Sequence, residues 1–182
     1  VGGAGYLGQE VCRGLIRQGA TVLIADLDLQ KARKVCTTFQ AKYGKNACRP
    51  VAVDLRQENS ILRLIEEIRR KHKKLDILVN ATYAPHGSPA DQITAENFTA
   101  SLNGNVTGAF LLAREAQPLM PSGGSIIQFS SMYGRVSPDP KIYFAPMKPN
   151  PIEYGVAKAG LEQMIRYWAV AWAPKGIRVN GV

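Results

Sequence analysis

The sequence predicts an α/β protein: a doubly wound parallel sheet with helices on both faces, in three layers. Three observations carry this. Short, continuous apolar runs such as residues 21–25 and 125–129 read as strands buried on both faces. Longer stretches with apolar residues at helical spacing separate them, which is the βαβ pattern of a parallel sheet. The chain also opens on a glycine-rich turn that runs straight into a helix.

The 182 residues are 46% hydrophobic and 20% charged, enough for one globular domain spanning 1–182 with a real core. There are no internal repeats and no linker. No apolar run approaches the roughly 18 residues that cross a membrane. Cys12, Cys36 and Cys48 form no C-x-x-C pair and no metal spacing, and read as reduced thiols of a cytoplasmic protein. His72 and His86 are too scattered for a metal site and read as surface residues, so no metal is expected. The net charge of +9 is uneven: residues 1–80 carry 15 basic and 8 acidic side chains, residues 81–182 carry 8 and 6. Much of the excess lies in Arg69-Arg70-Lys71-His72-Lys73-Lys74. That run reads as the basic last turn of a helix, where cations suit the dipole, rather than as a nucleic-acid site. The chain begins at Val1, directly on the glycine turn, and ends in what reads as a strand, so a piece of a longer domain truncated at both ends is expected, with any targeting segment lost.

Gly3, Gly5 and Gly8 make the spacing G-x-G-x-x-G. Glycines there let backbone amides approach a pyrophosphate at a helix N-terminus. The expected helix covers residues 9–18, with Val11, Leu15 and Ile16 on one face and Gly19 as its stop. The strand at 21–25 ends on Asp26, 18 residues after Gly8. A carboxylate at this place grips a ribose 2′-hydroxyl and repels a 2′-phosphate, which favours NAD over NADP. Asp28 is the natural cap of the next helix, residues 29–43. A strand at 49–53 leads to Asp54-Leu55; a helix at 59–72 carries Ile61, Leu64, Ile65 and Ile68; a strand at 75–81 ends near Asn80. Residues 84–104 read as a polar connection. A helix follows Asn105-Val106-Thr107-Gly108, with Val106, Phe110 and Ala113 on its apolar stripe, widened by Ala109, Leu112 and Ala116. The strand at 125–129 runs into Ser130-Ser131-Met132-Tyr133-Gly134.

Between Ser131 and Tyr154 lie 22 residues that include Pro138, Pro140, Pro146, Pro149 and Pro151. Such a segment has little regular structure, and reads equally as a substrate-facing flap or a surface insertion. The helix at 151–173 carries Tyr154 and Lys158, four residues apart and so on one face. An ammonium beside a phenol favours the phenolate and makes the tyrosine a usable acid or base near neutrality. Alone, that spacing also arises by chance on any solvated helix. Leu161, Ile165, Trp168 and Trp172 continue the apolar stripe, and residues 177–182 begin a sixth strand, the first being the one expected ahead of the glycine turn and missing apart from Val1.

The glycine turn, Asp26, Asp54, Val79-Asn80-Ala81, Asn105, Ser131 with Gly134 three residues on, Tyr154 and Lys158 together resemble the short-chain dehydrogenase/reductase family, over essentially the whole chain. The resemblance implies a Rossmann fold and NAD-dependent oxidation of an alcohol or reduction of a ketone. It implies Tyr154 as general acid/base, Lys158 as the group that tunes it and binds the nicotinamide ribose, Ser131 as the hydroxyl on the substrate oxygen, and Asn105 as the holder of a proton-relay water. It places the cofactor on Gly2, Gly3, Gly5, Tyr6, Leu7, Gly8, Asp26, Asp54, Leu55, Asn80, Tyr154 and Lys158. Asn105 also reads as a helix-kinking residue, and Ser130 as a turn serine bonding its own backbone. The sequence departs from the family at Val1 for the turn's threonine, Tyr6 for its middle glycine, and Asn80-Ala81-Thr82-Tyr83 for N-N-A-G. The resemblance further implies a homodimer or homotetramer through the helices after Asn105 and around Tyr154. The long segment before Tyr154 is similar to that of family members acting on sugars or polyols. Gly2, Gly5 and Gly8 match the G-x-x-G-x-x-G turn of nucleotide-sugar epimerases and dehydratases, an alternative reaction, and a non-catalytic dinucleotide-binding module is a third.

Overall fold

The computed structural model describes residues 1–83 and 87–182; His86 lies outside the described residues. In chain order come α1 (Tyr6–Arg17), β1 (Val22–Asp26), α2 (Leu29–Tyr43), β2 (Cys48–Ala52), α3 (Glu58–His72), β3 (Ile77–Asn80), α4 (Ala95–Leu102), α5 (Gly108–Ala116), β4 (Ser125–Gln128), α6 (Ile152–Trp172) and β5 (Arg178–Gly181). Every strand pairing is parallel, with β1 on β2, β3 on β4 and β4 on β5.

The pairings form two sheets, β1-β2 and β3-β4-β5, rather than one continuous ladder. Residues 1–3 stitch them together. The amino terminus of Val1 donates to the Val79 carbonyl, the Ala81 N–H donates to the Val1 carbonyl, and the Gly3 N–H donates to the Ala25 carbonyl. Below this stitch an apolar groove of about 460 Å³ separates β1 from β3, with Val11, Leu15, Leu23, Leu64, Ile68 and Leu78 among its walls.

Local chemistry explains the helices. Asp28 caps α2 by accepting from the Lys31 N–H at 3.0 Å. The last turn of α3 holds Arg69, Arg70, Lys71 and His72, and Arg69 and Lys71 pair with Glu66 and Glu67 on the same helix. Within the stretch expected to be only a polar connection, α4 forms because Thr94 accepts from the Asn97 N–H and Glu96 suits the first turn. A π turn over Asn103–Thr107 joins α4 to α5. Phe110 is not a core residue: it lies half-exposed, stacked on Trp168, while Ala109, Leu112, Ala113 and Ala116 are buried. The proline-rich segment contains only two short 3₁₀ turns, Met132–Gly134 and Pro140–Ile142.

One core gathers Val51, Val53, Ile61, Leu64, Leu112 and Ile126 with Trp168 around β3 and β4, and a second lies under α1 and α2. The second holds all three cysteines as free thiols. Cys36 and Cys48 share a hydrogen bond at 2.7 Å, and burial, with the Cys36 thiol next to it, pushes Cys48 up to about 12.

Candidate active site

The glycine turn and α1 build the first half of the site. Gly5 is the N-cap of α1 and offers no side chain to its first turn, which carries no acidic residue. Its leading N–H groups therefore face outward with the positive end of the dipole. The turn is held tight at two points where only glycine fits. A Cβ on Gly8 would stand 2.0 Å from the Gly2 carbonyl oxygen, and Gly2 itself has φ +75° with Ala81 against it. Helix α1 starts at Tyr6, earlier than the periodicity predicts, so the phenol that replaces a family glycine points out and is 89% exposed.

Asp26 ties this turn to the end of β1. Its Oδ2 accepts from the Ala4 N–H at 2.9 Å and its Oδ1 from the Asp28 N–H at 3.1 Å. A carboxylate offers about four acceptor positions, so two remain beyond these bonds. Asp54 is engaged by Arg56, whose guanidinium holds its carboxyl below the usual carboxylate range. The Leu55 side chain is buried in the core, and its carbonyl packs against Gly108 of α5. Asn80 is also committed inward: its amide donates to Gln128, and its oxygen accepts from the Thr82 N–H and hydroxyl. These bonds fix the turn after β3.

The second half of the site lies where α6 meets the end of β4. Lys158 is buried, and its Nζ sits 5.6 Å from the centroid of the Tyr154 ring while donating to the Phe129 carbonyl. Burial pulls the ammonium down to about 8, which leaves it charged at neutral pH. Ser131 opens the Met132–Gly134 turn, and its Oγ accepts from the Tyr133 N–H at 3.2 Å. Two glycines press that turn onto α6. A Cβ on Gly134 would meet the Ala159 nitrogen at 2.9 Å, and a Cβ on Gly155 would meet the Tyr133 carbonyl oxygen at 2.9 Å. Ser131 is thereby held beside the helix that carries Tyr154. Ser130 faces away and donates to Glu162. Asn105 sits in the π turn, buried, its amide donating to the Ser101 carbonyl at 2.9 Å. Such bulges within helices are frequent at functional sites. Val106 beside it packs against Gly160 of α6.

Two residues that sequence reasoning did not assign also belong to this cluster. The Tyr83 ring stands edge-on to Tyr154, with centroids 4.5 Å apart, and Lys158 Nζ lies 6.0 Å from its centre. Glu153 is fully buried and accepts from the Gly87 N–H. An aromatic at the position of the family's turn glycine was the available signal for Tyr83; nothing in the pattern marked Glu153.

A parallel α/β fold with a glycine turn at a helix N-terminus defines a Rossmann-type protein. Residues 3–182 match the family model described as enoyl-(acyl carrier protein) reductase. The chain belongs to the short-chain dehydrogenase/reductase family. It is 27% identical over 183 residues to a peroxisomal 2,4-dienoyl-CoA reductase of Danio rerio, covering 100% of this chain and 57% of that protein. Among solved structures it resembles sorbitol-6-phosphate 2-dehydrogenase SrlD of Erwinia amylovora, at 29% identity and TM-score 0.85, covering 99% of this chain and 68% of that one. It also resembles an NADP complex of RhlG from Pseudomonas aeruginosa, at 26% identity and TM-score 0.84, covering 99% and 68%. The chain spans little more than half the length of the Danio rerio relative. Among the described residues, no helix is long and apolar enough to cross a membrane.

Proposed function

We propose that the protein is an oxidoreductase that moves hydride between a nicotinamide cofactor and the carbinol or carbonyl carbon of a small polar substrate. The observation that carries this reading is the buried Lys158 ammonium beside the Tyr154 ring, on a helix clamped to the Ser131 turn. In oxidation the Tyr154 phenolate takes the proton of the substrate hydroxyl; in reduction the phenol returns it to the carbonyl oxygen. Ser131 donates a hydrogen bond to that same oxygen as charge develops. Lys158 sets a positive charge next to the phenol and would hold the nicotinamide ribose. Asn105 anchors a relay that returns protons from solvent. When bound, the nicotinamide supplies the hydride chemistry.

The residues present fit such a cofactor. The uncapped first turn of α1 and the Gly2–Gly8 approach suit a pyrophosphate. Asp26 suits an unphosphorylated ribose, so NAD is the preferred form even though RhlG was solved with NADP. The name of the Erwinia amylovora neighbour supports a sugar or polyol substrate. Exposed Val156, Tyr167 and Val170 on α6 support a homodimer or homotetramer, and the free thiols support a reducing compartment, the cytoplasm.

Calorimetric titration of the full-length protein with NADH and NADPH, with absorbance assays over sugars, polyols and keto acids, tests this. NADH should bind at least tenfold more tightly than NADPH, and Asp26→Ser should narrow the gap. Preference for NADPH in the wild type overturns the assignment of Asp26, and binding without turnover on any substrate favours a non-catalytic module.

A further inference from the structure

The turn that carries Ser131 is fastened to α6 at two levels. Gly134 rests on the helix backbone, where a Cβ would meet the Lys158 carbonyl carbon and the Ala159 nitrogen at 2.9 Å each. One such contact sets how closely the turn approaches and leaves it free to rock about that point. The second attachment is Glu162, one helical turn beyond Lys158 and on the same face of α6. Its two oxygens take the two flanks of the turn separately. Oε1 accepts from the Ser130 hydroxyl at 3.3 Å, just before Ser131. Oε2 accepts from Arg135 Nε at 2.7 Å, just after Gly134. Arg166, four residues further along α6, adds its guanidinium at 3.6 Å. The Arg135 side chain is 73% exposed, and an exposed arginine on a carboxylate counts for little by itself. The Glu162 side chain is only 12% exposed, however, and it joins both flanks at once, so its bonds act as a small network.

We propose that Glu162 is a positioning residue for Ser131: by bridging Ser130 and Arg135 it stops the turn from rocking on α6 and fixes the Ser131 hydroxyl relative to Tyr154. The turn does face Tyr154, since the Tyr133 ring within it stands edge-on to the Tyr154 ring with centroids 6.4 Å apart. Ser131 Oγ accepts from the Tyr133 N–H, which leaves its own proton to donate. Where that proton points follows from where the turn sits. The inference rests on the oxidoreductase reading for its purpose, but the tie itself does not need turnover.

The test uses the full-length protein and four variants: Glu162→Ala, Glu162→Gln, Ser131→Ala and the Ser131→Ala/Glu162→Ala double. Steady-state kinetics are measured beside amide exchange at Gly134, Arg135 and Val136, whose N–H groups bond back into the turn. Glu162→Ala should lower kcat about tenfold, with NADH affinity within about twofold of wild type, because misplaced reacting groups cost rate rather than cofactor binding. Glutamine can still accept from Arg135 and donate to Ser130, so Glu162→Gln should recover most of the loss. In the Ser131→Ala background, Glu162→Ala should cost less than about twofold, because two residues acting through one hydroxyl are not additive. Exchange at the three amides should quicken in Glu162→Ala. A full tenfold loss in both backgrounds, or wild-type kcat in Glu162→Ala, overturns the proposal. So does unchanged exchange, whether or not the protein turns over. Faster exchange in a protein that turns over no alcohol or ketone upholds the tie and defeats the oxidoreductase reading instead. Ser130→Ala/Arg135→Ala removes the same bonds from the other side and should reproduce the Glu162→Ala kinetics and exchange; wild-type values there also overturn the proposal.

Discussion

Lys158 shows how much a single residue decides here. Burial lowers its pKa from 10.5 to about 8, so its folded form carries fewer protons than its unfolded form between those values. The cost of burying the charge is fully present below pH 8 and relieved as pH rises toward 10.5. Over that window Lys158 should raise wild-type stability by about 3 kcal/mol, and Lys158→Met should lack the rise. Urea denaturation of both proteins at pH 7 and pH 10 checks this; a stability difference that does not change with pH contradicts the burial of a charged lysine. Tyr154 and Lys158 were legible because four-residue spacing on a helix is a local property. Tyr83 and Glu153 were not, because they are placed by contacts of Tyr83 and Gly87 with α6, which no spacing records.

The elements place these side chains through close backbone contacts. Gly134 lets the Ser131 turn lie directly on α6, where a methyl group would meet the Ala159 nitrogen at 2.9 Å. Gly134→Ala should cost about 1–3 kcal/mol of stability. It should also lower kcat at least tenfold while leaving cofactor affinity nearly unchanged, because a small misplacement of reacting groups is expensive. Gly14 in α1 has nothing within 4 Å, so Gly14→Ala is the matched control and should stabilise by about 0.5–1 kcal/mol. Thermal melts and steady-state kinetics separate the two; equal effects would mean the contact at Gly134 is unimportant. Helix α2 could be read from its Asp28 cap, and α3 and α6 from their apolar stripes. The π turn at Asn103–Thr107 could not, since a bulge leaves no mark in apolar periodicity. Helix α4 escaped because its neighbourhood is polar and its signal rests on Thr94 and Glu96 at its start.

At the scale of the molecule, the parallel order of the strands was legible from alternation, but the division into two sheets was not. The division follows from the apolar groove between β1 and β3, which residues 1–3 cross only at the top.

The central claim is that a phenol made reactive by a buried ammonium performs the proton transfer. Its most direct test is Tyr154→Phe in the full-length protein, measured by NADH titration and by turnover on the substrate the wild type accepts. The account predicts NADH affinity within about threefold of wild type and a rate reduced by about 10²–10⁴ or more. Full activity in the phenylalanine variant would contradict it.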